Sequence, residues 1–260
     1  MASFHAMWSF GAGAGAGIGF LAVRADLSYT AQFILSGLGL ALLLGPFIAT
    51  PWRSRQTEPD AAAPVFALPR GSLFLVGVVA LSAGLGEGAM ADWSAVFLHD
   101  FVGTDQSRAA LGYAVYSVTM VAMRLCVDGL VERLGPTAVA RAGGLAAAVG
   151  LVLVAGIATF PAALLGFVLM GVGYAAIIPL AFRRAAADPM IQPGQGIAAV
   201  ATFAYGAVLL GPPSIGFIAE VFSLRLAFLV LGAFAILISF FAPVLRRAER
   251  GTAEHPTFET

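Results

Sequence analysis

The sequence predicts an all-α membrane protein with eight transmembrane helices, and three observations carry that expectation. Hydrophobic residues make up 60% of the 260 positions and charged residues only 11%, against about 45–50% and 25% in soluble domains. Mean hydropathy is +0.92. Apolar stretches of about 20 residues, enough to cross a hydrocarbon core about 30 Å thick, recur along the chain with polar punctuation between them. Inside lipid the backbone must satisfy its own hydrogen bonds, and spans of this length do so as helices; barrel strands need only about 10 residues.

The first span is expected at 4–22. No basic residue precedes it and no cleavage pattern follows a shorter apolar core, so it reads as a retained helix and not a leader. Gly11, Gly13, Gly15, Gly17 and Gly19 alternate with small residues along it, which in lipid permits close helix approach. The run lacks the GxGxxG spacing and the preceding strand of a dinucleotide site. A second span follows at 31–50. Residues 51–71, with Trp52, Arg53 and Arg55 ahead of an alanine and proline run, read as a cytoplasmic linker. Six further spans are expected at 72–98, 108–129, 138–158, 161–182, 195–219 and 225–245, then a cytoplasmic tail at 246–260. The division is therefore 1–50, linker, a six-helix bundle over 72–245, and tail. Six spans in two groups of three suit an inverted-repeat carrier. Pro179 and the pair Pro212 and Pro213 are expected to bend the sixth and seventh spans.

With eight helices both termini share one side. Of the 14 basic residues, all arginine, only Arg24, Arg108 and Arg225 fall on the other side. This bias places both ends in the cytoplasm. Trp8 and Trp52 then lie near the inner interface and Trp93 near the outer one. The formal net charge is zero, so nothing points to nucleic acid. The absence of lysine excludes a Walker lysine and a Schiff base, and the absence of asparagine removes any N-glycosylation acceptor. A single cysteine, Cys126, excludes an internal disulfide, and His5, His99 and His255 are too scattered to be a metal-ligand set.

Charges inside the spans carry the functional argument. Counted from Leu73 at 1.5 Å per residue, Glu87 lies about 21 Å along the third span, in the outer half of the membrane. A charge at that depth costs several kcal/mol unless paired, hydrated or protonated, which marks Glu87 as a proton-coupling or substrate-contact carboxylate. The plainer reading is a hydrogen-bonded packing residue. Gly84, Gly86 and Gly88 surround it and are expected to permit an unwound segment. Asp92 with Trp93 reads as an outer-interface anchor or outer-gate contact. In the fourth span Arg124 and Asp128 stand at i and i+4, close enough to pair along one helix face, with a structural or gating role. Glu132, Arg133 and Gly135 lie at the mouth of the next cytoplasmic loop, where charges can tie helix ends together in one state and release them in another. Gln32, Tyr113, Tyr116, Tyr174, Thr202 and Tyr205 are the uncharged polar candidates for a solute pathway, and His5 is expected at the interface.

These motifs resemble the major facilitator superfamily. Glu132-Arg133-Leu134-Gly135, with Leu130 before it, is similar to the superfamily's cytoplasmic loop signature. It departs from that signature at Asp128, where glycine is usual, at Glu132, which replaces aspartate, and at Pro136, which replaces arginine. Gly211-Pro212-Pro213-Ser214-Ile215-Gly216, then Ala219-Glu220 and Leu224-Arg225-Leu226-Ala227-Phe228, resemble the end of the eleventh and start of the twelfth helix of such permeases. Ser3-Phe4-His5-Ala6-Met7-Trp8-Ser9 and Glu87-Gly88-Ala89-Met90-Ala91-Asp92-Trp93-Ser94 resemble a bacterial branch near fucose-type sugar permeases. The resemblance implies that the eight spans correspond to helices five to twelve of a twelve-helix carrier, with a missing amino-terminal helical segment as partner. The bare start Met1-Ala2-Ser3, without a basic flank, agrees with that expectation. The first span lacks the glycine-proline pattern of antiporters in the family, which favours symport.

The expected function is a secondary active transporter of the inner membrane that moves a small solute by alternating access, coupled to protons. Its partners are the solute, protons and the lipid bilayer, with no cofactor, metal or nucleic acid. The alternative is a non-transporting membrane fragment or interaction scaffold. An intramembrane enzyme is disfavoured because HExxH, GxSxG and paired histidines are all missing.

Overall fold

The computed structural model describes residues 25–50 and 71–246, together with Gly11, Ala14, Gly15, Ile18, Gly19, Leu21 and Ala22. Among the described residues seven helices are long and apolar enough to cross a membrane, and no strand occurs. This is one fewer than the eight expected. The expected first span, 4–22, falls mostly outside the described residues, as do His5, Trp8, Trp52, nearly all of the linker and the tail beyond Arg246.

The chain divides into two units, of which one covers 8–64. Its described helix α1, Tyr29–Ala49, starts where the Ser28 hydroxyl accepts the Ala31 N–H at 3.3 Å. It stops at Thr50, which is extended because Pro51 follows. No α1 residue is buried.

The larger unit contains the remaining helices. Helix α2, Ser72–Val96, continues into a π turn at Phe97–Phe101. Helix α3, Gln106–Leu134, is capped by Asp105, and α4, Pro136–Val152, runs into a second π turn at Leu153–Ile157. Helices α5, Phe160–Tyr174, and α6, Ile177–Ala186, together make one apolar span; α7 is Pro193–Val221, and α8 is Leu224–Phe241. Between α3 and α4 the chain reverses on Gly135, at φ 80°, a conformation that suits glycine. Gly135 returns its N–H to the Val131 carbonyl at 2.9 Å, and Pro136 opens α4 at the first helical position, where its missing N–H costs nothing. The departure of the loop signature at Pro136 is therefore a compact turn.

Helix α2 lies at the centre, against α7, α8, α3 and α6, while α4 packs on α5 and α8. Lipid supplies no hydrophobic drive between helices, so close backbone approach holds them. A Cβ at Gly143 would stand 2.5 Å from the Gly173 carbonyl oxygen, and one at Gly150 would stand 2.5 Å from that of Gly166. These contacts fasten α4 to α5.

Two expectations about helix distortion come out differently. Gly84, Gly86 and Gly88 leave α2 unbroken. Their use is proximity: a Cβ at Gly84 would meet the Ala204 carbonyl oxygen of α7 at 2.7 Å, and one at Gly86 would overlap the Tyr174 ring. Pro179 does interrupt its span, and the break falls at Ala175 and Ala176. Ala175 is the residue whose carbonyl would bond to position 179, and proline has no N–H to give it. Pro212 and Pro213 lie within an uninterrupted α7.

Candidate functional site

Helix α3 buries one stripe, Ala109, Gly112, Tyr116, Met120, Arg124, Val127 and Val131, at three- and four-residue intervals. This stripe turns Arg124 inward. Glu87 is the central residue of the 29-residue apolar span Leu73–Phe101. Its carboxylate meets Arg124: Nη2 donates to Oε2 at 3.1 Å and to Oε1 at 3.3 Å. The Arg124 side chain is 2% exposed and that of Glu87 24%. A long guanidinium arm from α3 thus reaches a carboxylate on the neighbouring helix.

The expected pairing of Arg124 with Asp128 along α3 is replaced by two cross-helix contacts. After Arg124 the buried stripe steps to Val127, which leaves Asp128 outside it; Asp128 accepts from Arg183 Nη1 of α6 at 3.4 Å, with both side chains largely exposed. Beside it on α6, Arg184 Nη1 donates to Asp188 Oδ2 at 3.0 Å, and Asp188 Oδ1 accepts the Met190 N–H at 3.0 Å. Both members of this second pair are buried. Neither Arg183 nor Arg184 was singled out from sequence, although Arg184 and Asp188 have the helical i, i+4 spacing that finds such pairs.

Tyr116 and Tyr174 join the Glu87–Arg124 pair. They are 3% and 0% exposed, and neither hydroxyl has a hydrogen-bond partner among the described residues. The Tyr113 and Tyr116 rings are 6.1 Å apart. Tyr174 is the last residue of α5, one step before the break, and its ring fills the space that Gly86 leaves open beside Glu87. Carboxylate, guanidinium and two phenols therefore share one buried locus.

The other candidates lie elsewhere. Tyr205 is 65% exposed on α7, and the Thr202 hydroxyl bonds locally to the Ala198 carbonyl. Gln32 belongs to the unit over 8–64. Asp92 is exposed, while Trp93 is half-buried and lies 3.3 Å from where a Cβ at Gly216 would be. Glu132 and Arg133 are exposed and make no ion pair among the described residues. No group of three or more metal-ligating side chains occurs among the described residues.

No family model matches the chain. It is 49% identical over 247 residues to a protein of Sinorhizobium fredii named an uncharacterized transporter, y4wD, covering 95% of this chain and 66% of that one. It is 34% identical over 251 residues to an uncharacterized MFS-type transporter of Yersinia pestis, covering 96% of this chain and 64% of the relative. The membrane protein MosC of Rhizobium meliloti is 27% identical over 244 residues, at 92% and 58% coverage. The chain thus spans about two thirds of the length of the curated relatives it matches. Among solved structures it superposes on a variant of the E. coli fucose:proton symporter FucP with a TM-score of 0.62 at 15% identity, covering 87% of this chain and 60% of that one. A FucP structure in the outward conformation gives 0.61 at 16% identity, covering 84% and 55%.

Proposed function

From the premise that this chain belongs to the major facilitator superfamily, we propose that it works as the larger part of a proton-coupled secondary active transporter. It moves a small solute across the bacterial inner membrane by alternating access. Residues 72–245 act as the carboxy-terminal six-helix half and 1–50 as the last two helices of the amino-terminal half, with both termini in the cytoplasm. The observation that carries the reading is the Glu87–Arg124 contact at 3.1 Å near mid-span. Two ionised side chains in that position cost about 2.5–3.5 kcal/mol each on insertion scales, which a packing role alone does not require. A carboxylate held by a permanent cation can take up a proton when the pair opens, which ties protonation to a change of state. The symporter that shares the fold is named for fucose and protons, which supports a small solute and a proton here.

The cytoplasmic ends supply the moving part. Asp128–Arg183 ties α6 to α3, and the Ala175–Ala176 break, which directly follows Tyr174, is the place where α6 would pivot. Proteoliposome uptake of candidate solutes with an imposed proton gradient tests the reading. Glu87→Gln is expected to abolish gradient-driven accumulation while leaving solute exchange at equal pH. Accumulation undiminished in Glu87→Gln would remove Glu87 from the coupling step.

A further inference from the structure

We propose that the seam between α4 and α8 binds an anionic phospholipid, its phosphate held by Arg141 and Arg246 and its acyl chains lying along the two helices below them. The inference needs only that the bundle lies in a bilayer, so it stands apart from the transport reading. Helices α4 and α8 run antiparallel: the Ser239 hydroxyl of α8 donates to the Arg141 carbonyl of α4 at 2.8 Å, and a Cβ at Gly144 would meet the Ala235 carbonyl oxygen at 2.7 Å. The start of α4 at Pro136 and the 3-10 turn Ala242–Leu245 that follows α8 therefore meet at one end of the bundle, where α3 also ends.

Two arginines stand at that end without a counter-charge. Arg141 is exposed, although it lies five residues into the apolar span Pro136–Ile157, about 7.5 Å along its axis. Arg246 is exposed directly after Leu245, where the last span stops. Neither side chain enters a hydrogen bond or ion pair among the described residues. Neither span, 136–157 or 224–245, contains an aspartate or a glutamate, and Glu132 at the end of α3 is matched in charge by Arg133 next to it. An arginine at this depth extends its guanidinium to the headgroup level while its stem stays in hydrocarbon. There the planar guanidinium suits phosphate, to which it donates two parallel N–H bonds.

The surface below the arginines fits the rest of the same molecule. On α4, Leu145 and Val149 follow Arg141 at four-residue steps, and on α8 Phe240 and Ile236 stand four residues apart beneath Arg246; all four are exposed. The other flank of α4 is taken by α5 and that of α8 by α2, so both stripes border the outer side of one seam. Cations above an apolar groove match an anionic headgroup above its chains. A zwitterionic headgroup brings an ammonium of its own, which these arginines repel and for which neither span offers a carboxylate. A second copy of the chain is opposed by the same charge, since a two-fold contact over the seam sets both arginines against their own kind.

The test is tryptophan quenching in vesicles. The full chain carrying Leu145→Trp is reconstituted in phosphatidylcholine with equal small mole fractions of dibrominated phosphatidylglycerol or dibrominated phosphatidylcholine, and the unaltered chain supplies the background of its own three tryptophans. The brominated phosphatidylglycerol is expected to quench the added indole with an apparent affinity about thirtyfold higher, about fivefold for each arginine. Arg141→Gln and Arg246→Gln together should remove that preference, the corresponding lysine pair should keep most of it, and Arg133→Gln, which removes a positive charge off the seam, should leave it intact. Native mass spectrometry of the unaltered chain, which needs no variant, should show one phosphatidylglycerol retained in preference to phosphatidylcholine. Equal quenching by the two lipids, or a preference that survives the paired glutamine variant, overturns the assignment. Quenching by neither lipid together with the mass of a dimer would put a second copy on the seam and overturn it as well. Gradient-driven uptake is a separate measurement, so failure here leaves the transport reading standing.

Discussion

At mid-span a single side chain changes the electrostatics of the whole span. Removing one partner of a buried ion pair strands the other, at a cost of about 3–5 kcal/mol for a fully buried pair, and removing both relieves the penalty. Glu87→Gln, which removes the counter-charge of the 2% exposed guanidinium, is therefore expected to lower the thermal midpoint in detergent more than Arg124→Gln, which leaves a partly open carboxylate that can take a proton; the double variant should regain part of the loss. A double-mutant cycle that is simply additive would contradict the pairing. Gly86→Ala pushes a methyl into the Tyr174 ring and should cost about 1–3 kcal/mol by overpacking, measurable by the same melts. Tyr174→Phe removes a hydroxyl that has no hydrogen-bond partner among the described residues, so its stability change should be near zero. The sequence alone marked Glu87, Tyr116 and Tyr174 as candidates but not their meeting. Contacts between residues 87 and 124 depend on the register of α2 against α3, whereas the i, i+4 rule sees only one helix and so pointed Arg124 at Asp128. The buried stripe of α3, legible as a three-and-four periodicity, was the signal that aimed Arg124 inward.

Helix ends and breaks follow local rules more faithfully. Ser28 before α1, Asp105 before α3 and Ser223 before α8 each accept the N–H three residues on. Asp105 is held below the ordinary aspartate range first by the Ser107 hydroxyl at 2.5 Å and then by the Arg108 N–H. Because its folded value is depressed, the cap contributes fully above the ordinary aspartate pKa and fades as pH falls through the lowered one. Hydrogen exchange at residues 106–109 should therefore accelerate in acid and in Asp105→Ala, but much less in Asp105→Asn, which still caps. Pro179→Ala restores the missing N–H and is expected to close the helix across Ala175 and Ala176, slowing exchange there and slowing uptake. Faster exchange at those residues would refute the assigned cause of the break. The glycines of α2 misled because three in five residues weaken a helix in water; in lipid the approach of α7 and Tyr174 outweighs that propensity.

On the scale of the molecule, span length and apolar content were enough to place six of the seven observed membrane helices within the larger unit, since 20-odd apolar residues have few alternatives in lipid. Orientation is a matter of arginine placement, and it predicts that a cysteine replacing Gly103 reacts with an impermeant thiol reagent from outside intact cells while one replacing Ala187 does not; the reverse pattern would invert the topology. On the short helix α6, Arg183 reaches across to Asp128 of α3, while Arg184 pairs with Asp188 one turn on in its own segment. A segment tied to its neighbour by a short-range contact cannot drift smoothly, because a tilt that lengthens the grip forfeits it before a new one forms. Spin labels attached at Cys126, the chain's native thiol, and at a cysteine introduced on α6 should therefore report two separated distance peaks whose weights trade with pH, and no single broad peak that slides between them.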